Sequence, residues 1–224
     1  MSGYTTRVQT IEVGDQHFRM QSLLDHLQYH DPDGEAERLG ISPESWPLFG
    51  QIWPSGWVLA NAMRTVELDG RRILELGAGL ALASLVVHRR GGDMTASDYH
   101  PLIPAFLKHN LRLNGLGPLP YHQADWGLAS KTLGQFDLII GSDLLYERDQ
   151  PSILASFIDR HSSPQVEVLI VDPNRSNRGK FRQAMTERGY RVETTSADCL
   201  LGSGEAYKGS FLRFRRESRQ PLNA

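Results

Sequence analysis

Three short stretches of the chain hold residues suited to gripping a nucleotide-like ligand and to polar chemistry beside it. Glu75-Leu-Gly-Ala-Gly79 closes the apolar run 72–76, and its Gly77 and Gly79, with Ala78 between, allow a tight turn and an approachable backbone. The helix that follows presents free N–H groups, which favour polar or anionic ligand groups. Asp98 lies 19 residues beyond Gly79, the interval at which a carboxylate grips ribose hydroxyls in strand–helix–strand nucleotide sites. Gly141-Ser142-Asp143-Leu-Leu-Tyr146 sets a carboxylate and a phenol three positions apart. Taken singly, each has a plainer reading. Gly-x-Gly is also a common strand–helix turn, Asp98 and Asp143 suit helix caps, and Trp53 and Trp126 suit core or rim positions. Joint placement at predicted strand ends is what points to a site.

The elements that must position these residues follow from the hydrophobic pattern. Residues 6–13 and 17–23 are partly alternating runs on either side of Gly14-Asp15, a hairpin signal. Asp31-Pro-Asp-Gly-Glu-Ala-Glu37 reads as a solvated acidic loop. Pro54 opens a helical pattern through Leu59, Met63 and Val66. Strands are predicted at 72–76, 94–97, 121–124, 136–141, 166–171, 190–195 and 209–215. Helices are predicted at 80–90, 101–114, 151–161 (with Asp149 as its cap) and 178–189. This alternation argues for an α/β fold, a Rossmann-like, doubly wound and mostly parallel sheet with helices on both faces and an antiparallel finish. In such a sheet, ligands bind at the carboxyl ends of the strands near the topological switch. The division expected is an N-terminal extension over 1–51, a ligand-binding domain over 52–216 and a tail over 217–224. The Arg213, Arg215, Arg216 and Arg219 cluster reads as a solvated tail.

Composition narrows the function classes. With 224 residues, 40% hydrophobic and 22% charged, the chain suits one substantial domain and lies far from disordered compositions. Its net charge of −2 gives no general attraction to nucleic acid or to an anionic membrane. The single cysteine, Cys199, excludes an internal disulfide and fits a reducing compartment. No apolar run approaches the roughly 20 residues of a transmembrane helix, and the first residues lack the apolar stretch of a secretory signal. A cytoplasmic, monomeric protein is expected. His26 and His30 stand at helical spacing but without a companion zinc motif, so a surface pair and no metal are expected.

Four ordered motifs give the chain a specific likeness. Gln51-Ile-Trp-Pro54, Leu74-Glu-Leu-Gly-Ala-Gly79, Asp125-Trp126 and Asp143-Leu-Leu-Tyr146, with Ser97-Asp98 between, resemble those of the seven-strand S-adenosylmethionine-dependent methyltransferases. Within these, the set is similar to the lysine methyltransferase-like family, also described as nicotinamide N-methyltransferase-like, over about residues 48–215. The resemblance implies a seven-stranded sheet, S-adenosylmethionine as cofactor, S-adenosylhomocysteine as product, and methyl transfer to an amine nitrogen. It implies a protein lysine as acceptor, with a small amine as the variant. It also implies roles. Gly77, Ala78 and Gly79 would admit the methionine part of the cofactor, and Glu75 would face its amino group or stabilise the loop. Asp98 would take the ribose hydroxyls, Asp125 and Trp126 would lie at the adenine, Ser142 would line the same pocket, and Trp53 would wall it. Asp143 and Tyr146 would carry the acceptor chemistry, Asp143 orienting the amine.

Two positions depart from the pattern. Ala81 stands where the family often has a third glycine, and its methyl group is expected to fit if the helix packs slightly further from the strand. Val171-Asp-Pro-Asn-Arg175 resembles the Asp-Pro-Gly-Arg of the branch that includes a lysine methyltransferase of a mitochondrial electron carrier. Two other classes compete. A nicotinamide-dinucleotide oxidoreductase would use the same architecture, but the loop Gly-Ala-Gly-Leu-Ala lacks the Gly-x-Gly-x-x-Gly spacing. A cofactor-binding interaction module without catalysis is the other, and an intact Asp143 and Tyr146 weigh against it.

Overall fold

The computed structural model describes residues 4–28, 31, 33–128, 130, 132–147 and 149–217. His30, Arg219 and nearly all of the expected tail lie outside the described residues. A hairpin comes first, β1 (Thr6–Val13) paired antiparallel with β2 (Gln16–Leu23). A short helix α1 (Glu35–Arg38) and two single 3₁₀ turns, Pro43–Ser45 and Leu48–Gly50, lead into α2 (Pro54–Ala62). Alternation then runs through β3 (Arg72–Leu76), α3 (Leu82–Arg89), β4 (Asp93–Asp98), α4 (Ile103–Leu113) and β5 (Tyr121–Gln123). It continues with β6 (Phe136–Ser142), α5 (Gln150–Arg160), β7 (Ser162–Asp172) and α6 (Arg178–Glu187). Strand β8 (Arg191–Ser196), the small hairpin of β9 (Cys199–Leu200) with β10 (Ala206–Tyr207), and β11 (Ser210–Arg216) finish the chain.

The main sheet has the order β5-β4-β3-β6-β7-β11-β8. Strands β3 to β7 run parallel, and β11 inserts antiparallel between β7 and β8. The chain reverses its winding between β3 and β6, which opens a crevice at their carboxyl ends. Apolar residues on consecutive positions explain why these strands are central, since each face needs its own cover. Ile73, Leu138, Ile140 and Leu169 point to one core layer, shared with α2, α3 and α4. Leu74, Ile139, Val168 and Ile170 point to the other, shared with α5 and α6. The N-terminal hairpin adds Val13, Phe18, Met20 and Leu23 to the first layer. Its outer edge is covered by α4: Asn110 Oδ1 accepts the Gln21 N–H at 2.7 Å and Asn114 Oδ1 the Arg19 N–H at 2.9 Å.

Three local expectations are corrected. Asp149 occupies the N-cap position of α5 but makes no side-chain cap bond, because its backbone is already helical. Neither Asp98 nor Asp143 caps a helix: α4 and α5 begin at Ile103 and Gln150, each without a side-chain cap bond. The arginines at 213, 215 and 216 are not a tail. They belong to β11, where Arg213 and Arg215 reach Glu167 at 3.2 and 3.7 Å and Arg216 pairs with Asp159. Among the described residues, no helix is long and apolar enough to cross a membrane.

Candidate functional site

A cavity of about 610 Å³ opens at the carboxyl ends of β3, β4 and β6. Its floor is the turn after β3. Gly77 and Gly79 have φ of +57° and +51°, where side chains are disfavoured. A Cβ at Gly77 would overlap Leu144 Cδ2, and one at Gly79 would come within 3.1 Å of the Phe49 carbonyl. The turn is tied to β4, with the Ala78 N–H donating to Ser97 O at 3.0 Å and the Gly79 N–H to Asp98 Oδ2 at 2.9 Å. Ala81, also left-handed at φ +60° and ψ +35°, is the N-cap of α3. The third-glycine preference is therefore a backbone requirement, and the expectation that only helix spacing was at stake is corrected. Glu75, 4% exposed, accepts the Ser84 N–H at 2.8 Å and also the Ser84 hydroxyl, so it closes the first turn of α3 from the strand below. Burial raises its carboxyl to about 7, against the Ser84 bonds that pull it down.

At the end of β4, Asp98 gathers three backbone donors: Gly79 N–H on Oδ2, with Tyr99 N–H at 2.6 Å and His100 N–H at 3.1 Å on Oδ1. A carboxylate offers about four acceptor sites, so capacity is left toward the cavity that Asp98 lines. Burial raises its pKa even against those three donors. His100 also lines the cavity. Phe49 stacks on its ring at 4.0 Å, and its Nδ1 accepts the Leu102 N–H at 3.3 Å. Burial lowers its pKa to about 4, so the ring is neutral and the remaining proton sits on Nε2. That Nε2 is buried with no partner among the described residues.

The chain before β3 supplies a wall that carries no periodic signal. Ile41, Ser45, Leu48 and Phe49 line the cavity. Tyr99 OH donates to the Leu39 carbonyl, and Trp53 Nε1 to the Leu48 carbonyl at 2.8 Å, holding the segment over the strand ends. Trp53, Asp125, Trp126 and Ser142 line the cavity too. Trp126 is half-buried, and Asp125 closes a local turn by accepting the Gly127 N–H at 2.7 Å. All eleven residues singled out from the sequence, from Trp53 to Tyr146, thus meet at one cavity.

After β6 the chain turns at Asp143, again left-handed at φ +59°. Its Oδ1 accepts from Arg175, Nε at 2.7 Å and Nη2 at 2.5 Å. The Arg175 N–H donates to Asp172 Oδ1 at 2.7 Å, and its guanidinium lies 6.0 Å from the Tyr146 ring. Asn174, at φ +63°, makes this approach possible, which explains the glycine of the related motif at that position. Burial and the Glu147 carboxylate push the Tyr146 phenol up to about 12, so it is a neutral donor at pH 7 although half its ring is exposed. The sequence reading counts the loop after Asp172 among those that shape the acceptor site, but gives Arg175 itself no role. The residues are there to read, but the pairing joins positions 32 apart.

Comparison with known proteins agrees with this architecture. A family model described as lysine methyltransferase matches residues 45–188. The mouse electron transfer flavoprotein beta subunit lysine methyltransferase is 28% identical over 143 residues, 62% of this chain and 55% of that protein. The chain thus spans about half the length of that curated relative. Mouse protein N-lysine methyltransferase METTL21A is 31% identical over 159 residues, covering 66% of this chain and 71% of that one. Among solved structures, one described by the conversion of a disulfide bond into a thioacetal group during echinomycin biosynthesis has a TM-score of 0.61 at 19% identity. It covers 83% of this chain and 92% of its own, and speaks for the fold alone.

Proposed function

Because the chain belongs to the lysine methyltransferase family, we propose that it transfers a methyl group from S-adenosylmethionine to an amine nitrogen, with a protein lysine as acceptor. One observation carries the reading: the glycine turn, Asp98 and Trp126 line the same cavity as Asp143 and Tyr146. The cavity's volume suits a cofactor of this size. Two glycines occupy positions a Cβ would crowd, and Asp98 offers an acceptor for ribose hydroxyls.

When bound, the cofactor supplies an electrophilic methyl group, so the protein need contribute no nucleophile. Gly77 to Gly79 let the backbone approach the methionine part. Asp98 takes the ribose hydroxyls, Asp125 and Trp126 border the adenine with Ser142, and Trp53 closes the near wall. The remaining task is to hold an acceptor amine in line and strip it of water. A lysine arrives protonated, with an ordinary pKa of about 10.4, and must lose a proton. Desolvation lowers that pKa, and so does a neighbouring cation. Arg175 fixes Asp143 by two N–H donors and balances its charge, which weakens the hold of that carboxylate on the ammonium form. Asp143 then orients the amine, and Tyr146 forms a wall of its seat. Because the Tyr146 ring and Arg175 are both partly exposed, water can carry the proton away.

Isothermal titration with S-adenosylhomocysteine tests the cofactor, and transfer of label from methyl-labelled S-adenosylmethionine to proteins of a cell extract tests the acceptor class. Micromolar binding and a labelled protein band are expected. Stabilisation by NAD with none by S-adenosylhomocysteine would overturn the cofactor assignment, and label confined to small molecules would overturn the acceptor.

A further inference from the structure

The turn between β7 and α6 directs polar side chains onto the loop that follows β6. Arg175 reaches one end of that loop, at Asp143. Asn177 reaches the other end. It is the N-cap residue of α6, where an asparagine ordinarily turns its side-chain oxygen onto the helix's own first N–H groups. Here its backbone is already helical, at φ −74° and ψ −9°, and it makes no such cap bond. Its Nδ2 instead donates to the Leu145 carbonyl and to the Glu147 carbonyl, both at 3.0 Å. Carbonyl oxygens only accept, so the group that faces them must be the NH₂ of the amide. Asn177 is 7% exposed, so its amide serves the interior and not the solvent.

Those two carbonyls flank a single residue, Tyr146. Ahead of it, Leu144 and Leu145 are buried in the core layer shared with α5 and α6. The chain then leaves the core and sets the half-exposed Tyr146 ring at the cavity. No strand or helix carries it there, since β6 ends at Ser142 and α5 begins at Gln150. A further tie, from Gln150 Nε2 to Glu147 Oε2 at 2.8 Å, joins two side chains and leaves the backbone free. One amide therefore bonds the peptide groups on both sides of the ring and sets the backbone that aims it. Asn177 is not among the residues that line the cavity, so it acts on the ring only through this loop. Resting on the methyltransfer reading above, we propose that Asn177 is a positioning residue for the reaction. It holds the Tyr146 ring in place at the cavity while touching neither acceptor nor cofactor.

Fluorine NMR of the protein carrying fluorotyrosine at its seven tyrosines tests the positioning directly. The Tyr146 line is the one that Tyr146→Phe removes. In Asn177→Ala that line should shift or broaden, while the lines of the buried Tyr190 and Tyr207 stay in place and show that the variant is folded. Asn177→Asp, which keeps the side chain's size but loses both donors, serves if the alanine variant does not fold. Label transfer from methyl-labelled S-adenosylmethionine to proteins of a cell extract should fall about tenfold in either variant. Affinity for S-adenosylhomocysteine should stay within about threefold. If Asn177 works through Tyr146, the two losses cannot multiply: Asn177→Ala with Tyr146→Ala should be within about twofold of Tyr146→Ala alone. An unmoved Tyr146 line, or losses that multiply in the double variant, would refute the assignment. Absence of both S-adenosylhomocysteine binding and label transfer in the parent protein would instead remove the methyltransfer reading and Asn177's part in it; the fluorine line would still decide whether Asn177 holds the ring.

Discussion

Ala81 and Ala83 offer a direct measure of how strongly the cofactor turn is held. Both are 1% exposed, but Ala81 is left-handed and Ala83 lies in the first turn of α3. Replacing either by glycine removes a buried methyl group, worth about 0.8 kcal/mol. Each replacement also adds freedom to the unfolded chain, a further cost of about 0.5–1 kcal/mol. Ala83→Gly should therefore destabilise by about 1.5 kcal/mol. At Ala81 the glycine also relieves a left-handed alanine, which costs about 1–2 kcal/mol, so the net change should lie near zero. The two variants should differ by about 1–2 kcal/mol in urea or guanidinium unfolding, with unchanged m values. For a chain of this length that is roughly 2–4 °C in Tm. If Ala81→Gly is as costly as Ala83→Gly, the turn does not hold Ala81 left-handed and the account of the third glycine fails.

Further expectations concern charge and the two halves of the site. Asp143→Asn and Tyr146→Phe should cut label transfer by about a hundredfold and about tenfold, while calorimetric affinity for S-adenosylhomocysteine stays within about threefold; an equal loss of both would remove the division of roles. Gly77→Ala places a Cβ on Leu144 at a positive φ and should destabilise the fold by about 2 kcal/mol or more, with cofactor binding abolished, as thermal melts with and without ligand would reveal. Glu75, raised to about 7, binds its proton more tightly when folded, so its stabilising contribution is full at low pH and is lost as pH rises from about 4.5 to 7. His100, lowered to about 4, works the other way, and its contribution is lost as pH falls from about 6.5 to 4. The two slopes oppose each other, so the parent protein should show a nearly flat Tm between pH 5 and 6.5 from this pair, while Glu75→Gln and His100→Asn should tilt it in opposite directions; parallel profiles would contradict the assignment.

Much of this site was legible in the sequence because its signals are short-range. Gly77, Gly79, Asp98, Asp143 and Tyr146 each sit within a few residues of a strand end, and alternation of strand and helix sets where those ends converge. The 3₁₀ wall from Pro43 to Gly50 was not legible. It has no apolar period, and its place depends on bonds such as that from Tyr99 to the Leu39 carbonyl, 60 positions apart. The β9–β10 hairpin was missed for a related reason, since two-residue strands carry no pattern. Arg213 and Arg215 fall in the strand predicted at 209–215, but their cluster with Arg216 and Arg219 was read as solvated because the partners of a basic strand face do not show in one dimension. The neighbouring Glu167 on β7 is such a partner.

Cys199, the chain's single cysteine, pairs across the small hairpin with Tyr207, whose hydroxyl lies 2.9 Å from Ser55 Oγ on α2. It is half-buried, and burial raises its thiol pKa, so unwanted oxidation at neutral pH is slow. This gives the protein a ready-made attachment point. A small environment-sensitive fluorophore coupled there at mildly alkaline pH would stand next to the segment that carries Leu201 and Glu205, with no engineered cysteine and no competing thiol. Its emission would report in real time whether a candidate acceptor protein disturbs this hairpin, separately from the chemistry.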